Sequence, residues 1–255
     1  MTKLFLSLLF GLATLLSGVQ HRPVLYIIGD STVRNDDKTG HRGWGSHLSS
    51  YIDTTRLQIS NQAMAGRSTR TFLKEGRWEK VLGSLHAGDF LIMQFGHNEG
   101  SRPDTTRGGY RGVLKGTGDA TVSLTWPDGS PETVHTYGWY LKKFVTEAQA
   151  KGATVLVASM IPRNDWKDGK VLRASGDYGK WAAEVVQQTS AYFIDLNAIS
   201  ADKYDQWGPE KVKAFFPDEH THTSPEGAQI NAASVAEGIR QLSHCALNQY
   251  LLPNP

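Results

Sequence analysis

Residues 24–32 read VLYIIGDST: Val24-Leu25-Tyr26-Ile27-Ile28, then Gly29-Asp30-Ser31-Thr32. The first five are apolar without alternation, which fits a strand buried on both faces of a parallel sheet. A glycine, an acid and a serine follow at once. All three residue types form turns, so the plain reading is a loop at the carboxyl end of the strand. In an open parallel sheet that end is where ligands bind, which makes Ser31 a candidate nucleophile as well. The rest of the chain must supply a base, an orienting acid and oxyanion donors for the second reading to stand.

Similar apolar runs recur at residues 57–63, 90–95, 154–159 and 192–195. Between the last two, Tyr178, Trp181, Ala182, Val185 and Val186 recur at helical spacing. Residues 137–151 read as a helix closed by Gly152, and Ser224-Pro225-Glu226 reads as N-cap, first helical position and acidic first turn. Alternating strands and helices predict a doubly wound α/β sandwich on a parallel sheet. The Gly-, Arg- and Thr-rich stretch 100–136 breaks the rhythm. Residues 121–126 and 132–136 flank Pro127-Asp128-Gly129-Ser130-Pro131 and predict a hairpin, and the whole stretch reads as an active-site wall rather than a second domain.

The 255 residues are 39% hydrophobic and carry a net charge of +2. That composition excludes disorder, and with no dense basic run it argues against a nucleic-acid partner. Residues 1–20, with Lys3 before an apolar stretch too short to span a bilayer, have the layout of a signal peptide, leaving 21–255 as one domain of a secreted or periplasmic protein. No other segment is apolar enough for stable membrane insertion. Cys245 stands alone, so no intramolecular disulfide forms.

Polar clusters fall at four predicted loops: Gly29-Asp30-Ser31, residues 61–68, Gly96-His97-Asn98-Glu99, and Pro217-Asp218-Glu219-His220-Thr221-His222-Thr223. Serine is a weak nucleophile that needs an adjacent base, and His220 or His222 is the candidate. A carboxylate just upstream would set its tautomer. The Gly66 backbone N–H and the Asn98 amide are candidate oxyanion donors. His-x-His beside two acids is weak evidence for a metal site without further ligands. The nucleophile-elbow G-x-S-x-G is absent, with Val33 at its second glycine.

Together the four clusters resemble the GDSL, or SGNH, hydrolases. The segments Ile28-Gly-Asp-Ser-Thr32, Asn61-x-Ala63-x-x-Gly66-Arg-Ser68, Gly96-His-Asn98 and His220-Thr-His-Thr-Ser-Pro-x-Gly-Ala228 are similar to those of the rhamnogalacturonan acetylesterases, carbohydrate esterase family twelve. The resemblance implies a three-layer α/β/α sandwich around a five-stranded parallel sheet, a catalytic set of Ser31, Glu219 and His222, and an oxyanion hole of Ser31, Gly66 and Asn98. It implies no cofactor and no metal. The family's acid is an aspartate three residues before the histidine. Here that place holds Glu219, with Asp218 beside it, so either carboxylate could orient His222. The expected substrate is an acetylated plant polysaccharide, rhamnogalacturonan first. Other esters (acetylxylan, an acyl-thioester, a lysophospholipid) and a non-catalytic carbohydrate-binding role are the alternatives. Arg67, Arg70, Arg102, Arg107 and Arg111 beside Trp44 and Trp126 match anionic sugars better than long acyl chains.

Overall fold

The computed structural model describes residues 22–35, 40–217 and 220–253. The signal segment 1–20 and both candidate acids, Asp218 and Glu219, lie outside the described residues.

In chain order the strands are β1 (Val24–Gly29), β2 (Gln58–Asn61), β3 (Phe90–Gln94), β4 (Thr121–Thr125), β5 (Pro131–His135), β6 (Thr154–Ala158), β7 (Trp166–Lys167), β8 (Lys170–Val171) and β9 (Tyr192–Ile194). Five of them form a parallel sheet in the order β2-β1-β3-β6-β9, with Leu25 opposite both Ile59 and Phe90. The order reverses at β1, between β2 and β3. Connections leave β1 and β3 to opposite sides there, which opens a crevice at their carboxyl ends.

Strand alternation divides the core into two layers. Ile28, Leu91, Met93, Val155 and Val157 face one side, where they meet α1 (Thr69–Lys74), α2 (Arg77–Ser84), α3 (Tyr137–Ala150) and α4 (Tyr178–Thr189) through residues such as Phe72, Trp78, Phe144 and Val185. Leu25, Ile27, Phe90, Ile92 and Leu156 face the other, against Leu196 of α5 (Leu196–Lys213) and Ala232, Val235 and Ile239 of α6 (Pro225–Gln241). The doubly wound sandwich read from the apolar runs is the observed fold, with the three layers that the resemblance implies.

Three helices escape sequence reading for physical reasons. Helix α1 buries Thr69, Arg70, Thr71 and Phe72, so it shows no hydrophobic stripe, and its start is set by a capping box between Ser68 and Thr71. Helix α2 is two turns long. Helix α5 begins directly at its cap Asp195, one residue after β9, and breaks at Gly208 (φ 78°) before Pro209.

The stretch between β3 and α3 carries the predicted hairpin, with β4 antiparallel to β5 and Val122 opposite Val134. It is held to α1 by Arg70. That guanidinium meets Glu132 through both oxygens (2.9 and 2.7 Å) and donates to the carbonyls of Asp104, Gly109 and Gly112. Two sugar-facing expectations are therefore corrected. Arg70 is 1% exposed, and Trp44 is fully buried with its Nε1 donating to Gln94 Oε1 (2.9 Å). Both residues build the scaffold instead of facing a ligand. Among the described residues, no helix is long and apolar enough to cross a membrane.

Candidate active site

The turn after β1 is built tightly. Val33 and Arg34 donate backbone N–H groups to the Asp30 carbonyl, and the Asp30 carboxylate accepts from Thr32 N–H (2.9 Å) and Thr32 Oγ1 (2.8 Å). Beneath it Gln94 Nε2 donates to Thr32 Oγ1 (2.9 Å), joining the turn to β3 and through Gln94 to Trp44. Gly29 is obligatory by crowding, since a Cβ there would sit 2.5 Å from the Gln94 carbonyl oxygen. The result is a serine fixed at the mouth of the crevice.

Ser31 Oγ lies 3.0 Å from His222 Nε2. His220, the other candidate base, instead places Nδ1 2.6 Å from Thr221 Oγ1. Main-chain bonds hold the histidine loop on three sides. Asn164 N–H donates to the His220 carbonyl (2.7 Å), Arg42 N–H to the Thr223 carbonyl (2.9 Å) and Ser224 N–H to the Phe215 carbonyl (2.9 Å). Ser224 then caps α6 through its side chain, as its place before Pro225 predicts. His41 stacks on His222 at 5.2 Å between ring centroids; nothing in its sequence neighbourhood marks it.

Gly66 adopts φ 72°, the left-handed region that favours glycine. Neither its backbone N–H nor that of Ser31 donates to another group among the described residues. Asn98 is oriented by chemistry that allows one answer. Arg111 Nη1, which can only donate, lies 2.8 Å from Asn98 Oδ1, and Asn98 Nδ2 donates to the Arg67 carbonyl (3.2 Å). The second hydrogen of Nδ2 remains for a ligand.

Glu99, adjacent to Asn98 and given no role by the sequence reading, ties these two loops together. Its Oε1 accepts from Thr69 N–H (2.8 Å) at the start of α1, and its Oε2 from Asn98 N–H (2.9 Å). Burial pushes this carboxyl up to about 8, and the charge of Asp30 adds to the effect. Burial also raises Asp30 to about 6, against the pull of its Thr32 hydrogen bonds. The His97 ring is lowered to about 3 by burial and by Arg163, whose Nη2 donates to the His97 carbonyl (3.3 Å), so it stays neutral.

A serine hydroxyl in hydrogen-bond reach of an imidazole, with uncommitted N–H groups on Ser31, Gly66 and Asn98, has the parts needed for acyl transfer. The model of the GDSL-like lipase/acylhydrolase family matches residues 27–230, and the chain belongs to that family; it is a carboxylic ester hydrolase. Within the family it is 32% identical over 227 residues to the rhamnogalacturonan acetylesterase of Emericella nidulans, covering 89% of this chain and 88% of that protein. It is 28% identical over 235 residues to the rhamnogalacturonan acetylesterase RhgT of Bacillus subtilis, covering 86% and 90%. The fold is shared with Axe2, an acetylxylan esterase from Geobacillus stearothermophilus, at a TM-score of 0.57 and 14% identity over 85% of this chain and 93% of that one.

Proposed function

We propose that this enzyme is a secreted serine esterase that removes O-acetyl groups from acetylated rhamnogalacturonan. The observation that carries the chemistry is the 3.0 Å approach of Ser31 Oγ to His222 Nε2. Ser31 Oγ attacks the acetyl carbonyl carbon as His222 Nε2 takes its proton. The negative charge gathers on the carbonyl oxygen, where the N–H groups of Ser31 and Gly66 and the Asn98 amide receive it. Collapse breaks the bond to the sugar oxygen, which leaves with the proton from His222. Water then attacks the acetyl-enzyme with His222 again as base, and acetate departs.

Glu219 is assigned as the acid that orients His222, because it stands three residues upstream, where the family places its aspartate. The layout of residues 1–20 supports export, with 21–255 as the esterase domain. The substrate reading draws on two relatives named as rhamnogalacturonan acetylesterases. Measuring acetate released from acetylated rhamnogalacturonan, homogalacturonan, xylan and mannan tests it. The first polymer should give the highest kcat/KM; a preference for xylan or mannan would transfer the enzyme to another substrate.

A further inference from the structure

Arg111 reaches the crevice from the 100–136 wall. Its Nη1 donates to Asn98 Oδ1, and a Cβ added to Gly66 would lie 3.8 Å from the same nitrogen. The guanidinium therefore stands beside both the Asn98 amide and Gly66. On α1 and the loop before it, Arg70 is answered by Glu132 and Arg67 by Glu75. Arg111 has no carboxylate partner among the described residues; besides Asn98 it has only the Tyr110 ring, 5.7 Å away. Guanidinium carries five N–H donors in a planar fork and cannot lose its charge. One donor is used on Asn98, and the edge left over suits a planar carboxylate.

We infer that Arg111 is a specificity-determining residue that binds the carboxylate of a uronate in the substrate, on the sugar that bears the acetyl group or its direct neighbour. This rests on the esterase reading and deepens its substrate. With the ester carbonyl in the hole beside Asn98, a group on Arg111 is within the reach of about one pyranose ring. The same guanidinium is a positioning residue for the reaction, since it turns Asn98 so that Nδ2 faces the hole. A bound carboxylate would draw Arg111 into a fixed place and hold that orientation through the chemical step.

The test uses one sugar with and without its charge. Acetylated rhamnogalacturonan oligosaccharides are assayed with their galacturonate carboxyls free and as methyl esters, with 4-nitrophenyl acetate as a small neutral ester, against wild type, Arg111→Gln and Arg111→Lys. Wild type should favour the free acid by about tenfold in kcat/KM, mostly through KM, as for one charge-assisted contact. Arg111→Gln should bring that ratio to about one, while kcat falls by a similar factor on all three substrates as Asn98 loosens. Arg111→Lys should keep part of the preference, having the charge without the fork, and it guards against a folding defect in the glutamine variant. An unchanged free-acid preference in Arg111→Gln would overturn the inference and leave the esterase reading intact. Wild-type turnover of the aryl acetate with none of either rhamnogalacturonan form would instead overturn the pectic-substrate reading, and the inference with it.

Discussion

The strand-end crevice and the seam between α1 and the 100–136 wall each bury an ionisable side chain, and they handle it in opposite ways. In the crevice Glu99 is fully buried and its hydrogen-bond partners are two backbone amides. A carboxyl in that setting keeps its proton to higher pH, because burial disfavours the charged form. Arg70 of α1, packed against the wall, has no such exit, since guanidinium does not deprotonate, and it is matched by a bidentate carboxylate and three carbonyls. Burial works to raise Glu132, yet the hydrogen bonds and charge of Arg70 outweigh it and hold the carboxyl below its ordinary range. The buried acid of the crevice can thus change protonation, while the Arg70–Glu132 pair cannot. Loss of Glu132 should therefore cost stability at any working pH, whereas the cost of losing Glu99 should vary with pH.

The largest effect expected is at Ser31. Ser31→Ala should lower kcat on an acetate ester by about 10⁵–10⁶-fold with the melting temperature little changed, as for loss of a nucleophile. Retained turnover would leave Ser31 a turn residue. In the wall, Glu132→Gln strands the Arg70 charge and should cost about 3–5 kcal/mol in denaturant unfolding. A loss under about 1 kcal/mol, the range of an exposed pair, would erase the contrast between the regions. Asn98→Ala should reduce kcat by about 10²–10³-fold, with a smaller change in KM; a rise in KM alone would make Asn98 a substrate-positioning group.

Glu99→Gln tests the crevice acid, with an effect of about 1–3 kcal/mol at neutral pH from one stranded backbone N–H. Its sharper signature is the pH dependence. The Glu99 carboxyl is raised from 4.5 to about 8 in the folded protein. Its contribution is therefore fully present below the unfolded value and is lost as pH climbs through about 8, where the folded protein must ionise a buried group. Wild-type stability should fall across that window while Glu99→Gln stays flatter, so the gap narrows on the alkaline side. Parallel profiles would show that Glu99 is ionised throughout.

Most of the fold was legible because the sheet is buried on both faces. Phe90-Leu91-Ile92-Met93 and Val155-Leu156-Val157-Ala158 cannot be mistaken for half-exposed strands, and Ser224-Pro225 marks its helix through local backbone chemistry alone. Ser31, Gly66, Asn98 and His222 were legible for a related reason. Each occupies a loop next to a strand or cap that the chain itself announces, and their shared order matches a known family. What the sequence could not determine is where charge ends up. Arg70, Arg111 and Arg67 are alike as letters in loop-rich segments, yet one is buried on Glu132, one is turned onto Asn98, and one pairs with Glu75 eight positions on. Likewise Glu99 is read as a loop acid until Thr69, brought beside it by the packing of α1, shows it to be a buried clamp. Local patterning sets which backbone segments form, because it acts between near neighbours. The partner of a long charged side chain is set by residues tens of positions away, so only the tertiary structure decides it.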